Sequence, residues 1–342
     1  MGPATAGALL QAHPGPGHGR EELRRRGRGA LGNRTSDVHA AGRAGRAIRD
    51  KNAMTLFTSD RCAVVAEIGI NHNGDLDLAL EMIRKAKAAG CDAVKFQKRT
   101  VDVVYTADEL ERPRKSPLGE TNGDLKRGLE FGQAGYEKIR AFCADLGIAW
   151  FASPWDEDSV DFLTALDVPY LKIASASITD VGLIEHCARS GVPLLVSTGM
   201  CDLSMVRAAV GVIEAAGGKI ACLYHCTSTY PSLPEEINLS GIATLKAAFP
   251  HLRIGYSGHE DGILPSILAV AHGAVSVERH FTLDRSMWGS DQAASIDPEQ
   301  MAAMVAGIRL AEICRGDGVL QIYPRERPVM EKLRRKDTLE PV

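Results

Sequence analysis

No run of apolar residues in this 342-residue chain reaches the ~18–20 that a helix needs to cross a bilayer. No Cys-x-x-Cys pair occurs among its eight cysteines. Most of them sit inside apolar strand or helix patterns, which predicts reduced, buried thiols and a cytoplasmic protein. Cys222 and Cys226 as zinc ligands is the sharper alternative, and it is set aside. An excess of one charge is lacking too. Forty Lys and Arg against 43 Asp and Glu leave a net charge of −3, so neither nucleic acid nor an anionic membrane is expected as partner. Large apolar side chains are almost absent from residues 1–53, which are rich in Gly, Ala and Arg. Such a segment cannot bury enough surface to offset its ordering entropy. Its arginines invite a transit-peptide reading. Pro14, Gly15, Pro16, Gly17, Glu21 and Glu22 argue against one. A disordered N-terminal extension, or a start codon that belongs at Met54, is expected instead.

From residue 62 to about 314, strand and helix patterns alternate. The expected strands are Ala63–Ile68, Ala93–Phe96, Ala149–Ala152, Tyr170–Ile173, Leu194–Ser197, Ala221–His225, Arg253–Tyr256 and Val275–Glu278. Amphipathic helices lie between them, several stopping at a glycine such as Gly90, Gly147, Gly191 or Gly217. Eight such units over this length predict an α/β (β/α)8 TIM barrel. A doubly wound open sheet is the runner-up, but it places its chemistry at one switch point. Here nearly every strand ends in polar residues. The expected layout is an extension over 1–53, a barrel over 54–325 and a short basic tail over 326–342.

The strand ends supply Glu67, Lys95 and Gln97, Ser153, Lys172 and Ser175, Ser197, His225 and Tyr230, Ser257 and His259, and Glu278 and His280. Barrel active sites lie on this C-terminal face. Two lysines among Ser153, Ser175, Ser197 and Ser257 suit a phosphorylated anion, with the lysines as point charges and the hydroxyls as hydrogen-bond partners. A Schiff-base lysine is the weaker alternative. His259 and His280 are candidate ligands for a divalent metal, with positions left open for water and substrate. Nitrogen and oxygen ligation suits Mn, Mg, Co or Zn, and the sequence does not choose among them. Glu278, Arg279 and His280 in succession have no evident packing role, so each is expected to need a partner or ligand. His225 is expected to line the site and His72 to touch substrate, while His186 and His272 read as helix-face residues.

These motifs resemble the sialic acid synthase family, over about residues 62–325. The strings that carry the resemblance are EIGINHNG (67–74), AVKFQK (93–98), FASPW (151–155), LKIASAS (171–177), VSTGM (196–200), HCTSTYP (225–231), GYSGHE (255–260), ERHFTLD (278–284) and GSDQAAS (289–295). The resemblance implies condensation of phosphoenolpyruvate with an N-acylated aldose such as N-acetylmannosamine, giving a nine-carbon 2-keto acid and phosphate. It implies phosphoenolpyruvate contacts from Lys95, Ser153, Lys172, Ser175, Ser197 and Ser257, and sugar contacts from Glu67, Tyr230 and Asp291. It also implies a metal, usually manganese, on His259 and His280. Ser177 stands where many members carry an acid, and Ser228 where some bacterial members carry Asn.

Typical members continue into an antifreeze-like domain whose arginine reaches the partner subunit's site. Residues 315–342 carry no such pattern. Weak affinity for a free sugar is therefore expected, unless a partner chain, a homodimer or an anchor on the substrate such as a phosphate or a nucleotide compensates. The rival readings are a metal-dependent hydrolase using His259, His280 and Glu278, and a weakly active binding subunit.

Overall fold

The barrel strands are short apolar runs joined by helices, five of which have a first turn capped by an aspartate of the preceding loop. Asp75, Asp156, Asp180, Asp202 and Asp297 each accept backbone N–H groups at the start of a helix. Each such cap stabilises its helix by about 1 kcal/mol. The computed structural model describes residues 56–57 and 61–336. The expected N-terminal extension, Met54 and residues 337–342 lie outside these.

Eight parallel strands close into a barrel: β1 (Ala63–Gly69), β2 (Ala93–Lys98), β5 (Ala149–Pro154), β6 (Leu171–Ile173), β7 (Leu194–Ser197), β8 (Ile220–Cys226), β9 (Ile254–Gly258) and β10 (Ser276–His280). They follow one another in chain order around the barrel, and β10 pairs with β1. The outer layer is α1 (Leu76–Ala88), α5 (Gln133–Leu146), α6 (Glu157–Ala165), α7 (Val181–Arg189), α8 (Leu203–Ala215), α10 (Gly241–Ala248), α11 (Leu264–Ala271) and α12 (Pro298–Arg315). The predicted (β/α)8 barrel is therefore the observed one, with element ends moved by a few residues.

Between β2 and α5 the chain builds an insertion that the sequence patterns left unassigned. It holds α2 (Val101–Val104), α3 (Ala107–Glu111), the hairpin β3 (Pro113–Ser116) and β4 (Gly119–Thr121), and α4 (Asn122–Gly128). A four-residue helix, α9 (Pro234–Ile237), likewise follows β8. From Gly316 to Lys336 the residues are exposed but for the half-buried Met330, yet Arg327–Leu333 forms a helix, α13, where only an unpatterned tail was expected. Its Val329 and Leu333 face solvent.

Alternation along the strands sorts side chains between barrel interior and helix layer. Parallel registers place Glu67 beside both Lys95 and His280, and Glu278 beside Ser257. These point inward. Their neighbours His225, Tyr256 and Arg279 point outward, toward the helices.

Candidate active site

The floor of the barrel mouth is a charged cluster with no water-facing surface to speak of. Glu67, Lys95, Lys172 and Glu278 are all buried. Lys172 Nζ donates to both oxygens of Glu278, at 2.8 and 2.9 Å. Lys95 Nζ lies 2.8 Å from Glu67 Oε2 and 3.4 Å from Glu278 Oε1. Ser257 donates to Glu278 at 3.2 Å, and Lys95 donates to Ser153 at 3.3 Å. Lys172 also sits 4.8 Å from the centroid of the Tyr224 ring. Unpaired, each of these charges would cost several kcal/mol to bury. Paired two against two, they are tolerated, and the floor carries no net charge.

The two carboxyl groups are not equivalent. Burial raises Glu278, but Lys172 and Lys95 outweigh it and hold the group at about 2. Glu67 has Lys95 and Gln97 alone for partners; burial and the Glu278 charge push its carboxyl above the ordinary range. Its Oε2 has an ion-pair contact with Lys95 but no directed hydrogen bond. Of the pair, Glu67 is the group able to carry a proton. The lysines differ too. Burial lowers Lys95, yet the two flanking acids leave it raised. Burial, helped by the Lys95 charge, leaves Lys172 below its ordinary value.

Beside this floor stands a histidine pair. The rings of His259 and His280 are 5.3 Å apart, with Tyr230 4.2 Å from the first. His259 Nδ1 is 2.8 Å from the Thr227 carbonyl oxygen. Donating there fixes the tautomer and turns Nε2 outward as a lone pair. Burial pushes His280 down to about 3, so its imidazole is neutral, and its Nδ1 is buried without a hydrogen bond, 3.9 Å from Asp291 Oδ2. Burial lowers His259, yet Cys226 and the Thr227 carbonyl leave it raised, so a cation there would displace a proton from it; two imidazoles and a nearby carboxylate are ligand types that suit a divalent cation. Among the described residues, no group of three or more His, Cys, Asp or Glu could hold a metal. Two histidines would leave most coordination positions to water and substrate, which suits a catalytic site rather than a structural one.

Ser175 and Ser197 complete the wall. Ser197 is buried in register with Tyr224. Ser175 Oγ accepts from Gly199 N at 3.1 Å. A Cβ on Gly199 would stand 2.2 Å from Ser228 Oγ and 2.6 Å from Ser175 Oγ, so the residue type here is set by close approach. Gly69 has the same origin at the end of β1: φ is +56°, and a Cβ would meet Glu67 Oε1 at 3.0 Å.

Several expectations need correction. Arg279 does have a packing role. It points outward and is fully buried, donating to Glu260 Oε1 at 2.7 Å and to the Glu260 and Gly262 carbonyls. His225 does not line the site; its Nε2 meets the Ile237 carbonyl oxygen at 2.8 Å in the helix layer. His72 is packed, not poised for substrate. It stacks on Phe131 at 4.2 Å, its Nδ1 accepts from Gly74 N, and burial holds it near 3. Glu278, read as a possible hydrolase group and as a charge in need of a partner, is the hub of the lysine floor. Its signal was present: it stands two residues before His280, on the same face of the strand. Cys226, set aside above as a zinc ligand, also stands at the site. Its Sγ lies 3.6 Å from Ser175 Oγ and 3.9 Å from His259 Nδ1. Burial raises the thiol, but those neighbours leave it lowered.

The family model described as "NeuB family" matches residues 82–320. N-acetylneuraminate-9-phosphate synthase from Homo sapiens is 40% identical over 274 residues, covering 80% of this chain and 76% of its own. N,N'-diacetyllegionaminic acid synthase from Legionella pneumophila is 40% identical over 289 residues, covering 82% and 81%. The crystal structure of an N-acetylneuraminic acid synthetase from Leptospira borgpetersenii superposes with a TM-score of 0.72 at 32% identity. It covers 83% of this chain and 98% of that one.

Proposed function

The chain belongs to the NeuB family, and from that footing we propose that it condenses phosphoenolpyruvate with an N-acylated aldose, giving a sialic-acid-like nine-carbon 2-keto acid and phosphate. The observation that carries the reading is the pairing of a two-lysine floor with a histidine pair across one strand register, Glu67 beside His280. A hydrolase would need the histidines but not the lysines.

Lys95 and Lys172, with Ser153, Ser175, Ser197 and Ser257 around them, would hold the carboxylate and phosphate of phosphoenolpyruvate. The enol carbon then attacks the aldehyde carbon of the sugar, and the aldehyde oxygen takes a proton. Water adds to the carbon that bears the phosphate, and phosphate leaves. Glu67 is placed to orient the sugar and to carry that proton at Oε2. Tyr230 and Asp291 flank the same space as further sugar contacts. The two lysines are already set against two acids, so the substrate's negative charge calls for another cation. A divalent metal held by His259 and His280, manganese in the first instance, would supply it and polarise the aldehyde oxygen. Residence in the reducing cytoplasm is part of the same proposal, supported by eight cysteines that stand as free thiols.

The test is phosphate release from phosphoenolpyruvate with Mn and a panel of N-acyl hexosamines, free and phosphorylated. Sugar-dependent release, lost on chelation and restored by Mn, with a product mass equal to sugar plus pyruvate, is expected. Release that ignores the sugar would point to a hydrolase and overturn the reading.

A further inference from the structure

The 40%-identical relatives differ in one respect that identity does not resolve. The product named for the human enzyme carries a phosphate at carbon 9, and the product named for the Legionella enzyme carries none. A 9-phosphate in the product is the phosphate that the sugar carried at the end remote from its aldehyde. An enzyme for such a substrate needs an anion site some way out from the histidine pair, on the sugar side.

A cavity of about 260 Å³ opens there. It lies between the β1–α1 loop, the insertion after β2 and the β10–α12 loop. Its lining includes Arg114 from β3 and Lys126 from α4, and it contains no carboxylate. Among the described residues, neither cation is ion-paired with an acid. Arg114 has a long contact of 3.4 Å to Asn122 Oδ1, and Lys126 lies over the Tyr105 ring at 4.9 Å. Two of the other basic groups nearby are engaged: Arg127 pairs with Asp102, and Lys98 with Glu130.

The cavity adjoins the reacting centre. Ser290, on its wall, donates to Asp291 Oδ1 at 2.7 Å, and Asp291 is the carboxylate beside His280. Asn71, also on the wall, is buried and its amide nitrogen is committed to the Phe281 carbonyl at 2.9 Å and to Ser295 Oγ at 2.8 Å. That fixes the amide, and its Oδ1 is left buried with no hydrogen-bond partner. An orphaned acceptor there is costly unless a ligand donor meets it. A sugar hydroxyl is such a donor.

From this we infer that the acceptor sugar is an N-acyl hexosamine phosphorylated at the end remote from its aldehyde. Arg114 and Lys126 bind its phosphate, and Asn71 Oδ1 accepts from a hydroxyl along the way. The inference rests on the proposed condensation and names its substrate class. Guanidinium and ammonium groups are the expected phosphate partners, and charge-assisted bonds of this kind are the strong ones.

The experiment measures kcat/KM for N-acetylmannosamine and for its 6-phosphate, with saturating phosphoenolpyruvate and Mn, in the parent and in Arg114→Gln, Lys126→Met and the double variant. A preference for the phosphorylated sugar of a hundredfold or more is expected in the parent. Each single variant should reduce that ratio about tenfold, and the double variant further. Equal use of both sugars by the parent, or a ratio that the double variant leaves unchanged, overturns the inference while the condensation stands. No turnover of either sugar would count against the condensation and the inference together. Turnover of another N-acyl hexosamine alone would count against the phosphate site only.

Discussion

The floor of the barrel and the rim above it are built by different means. On the floor, Lys95, Lys172, Glu67 and Glu278 project from strands whose pairing fixes them on every side, and each charge has a partner. On the rim, Arg114, Lys126, Trp288 and Ser290 come from a hairpin, a seven-residue helix and a loop, and among the described residues no acid lines the cavity with the two cations. A floor of that kind is pre-organised and cannot be altered without loss of stability. A rim of that kind can change its chemistry at little structural cost. The proposed common substrate and the sugar's reacting end belong to the floor, and the sugar's variable far end to the rim.

The sharpest way to break this contrast is through stability. Glu278→Gln should leave two buried lysines short of charge compensation and destabilise the protein by about 3–5 kcal/mol. Arg114→Gln, on the exposed hairpin, should change stability by no more than about 0.5 kcal/mol. Urea unfolding of both variants checks this. A Glu278→Gln protein as stable as its parent would show that the lysines are held some other way.

A smaller effect follows from pH. The folded-state value of Glu278, about 2, lies below the ordinary 4.5. The stability it contributes is therefore complete above that ordinary value and is lost as pH falls through about 2. Glu67 is shifted the other way by burial and by Glu278, so it takes up a proton more readily folded than unfolded and opposes this loss. The stability gap between parent and Glu278→Gln should be flat from neutral pH down to about 5 and should narrow below that. A gap that widens on acidification would place the proton on Glu278 instead of Glu67.

The same division explains what could be read in the sequence. Short apolar runs alternating with amphipathic helices located the barrel, and polar strand ends located the two lysines, the serines and the histidine pair, because these patterns are short-range and regular. Period-two alternation along each strand would further have separated Glu278 and His280, facing in, from Arg279, facing out. It would also have turned His225 toward the helices. The partner of Arg279 was legible only in space: Glu260 lies on the neighbouring strand's exit loop. Arg114 and Lys126 gave no signal, because α2, α3, β3, β4 and α4 run three to seven residues each, too short for a helical period to show. Asn71 sat in plain view in the first Gly-rich loop, but the sequence does not say which of its amide atoms is left unsatisfied.

Floor and rim should separate most directly in a two-substrate kinetic comparison of Lys172→Met with Arg114→Gln. Lys172→Met should lower kcat/KM for phosphoenolpyruvate by roughly 10- to 150-fold, the equivalent of about 1.5–3 kcal/mol for one charge-assisted hydrogen bond. Its kcat/KM for the sugar, at saturating phosphoenolpyruvate, should fall much less. Arg114→Gln should show the reverse, with the loss confined to the phosphorylated sugar. If both variants lose chiefly the same substrate, the division of the site into a phosphoenolpyruvate floor and a sugar rim is contradicted.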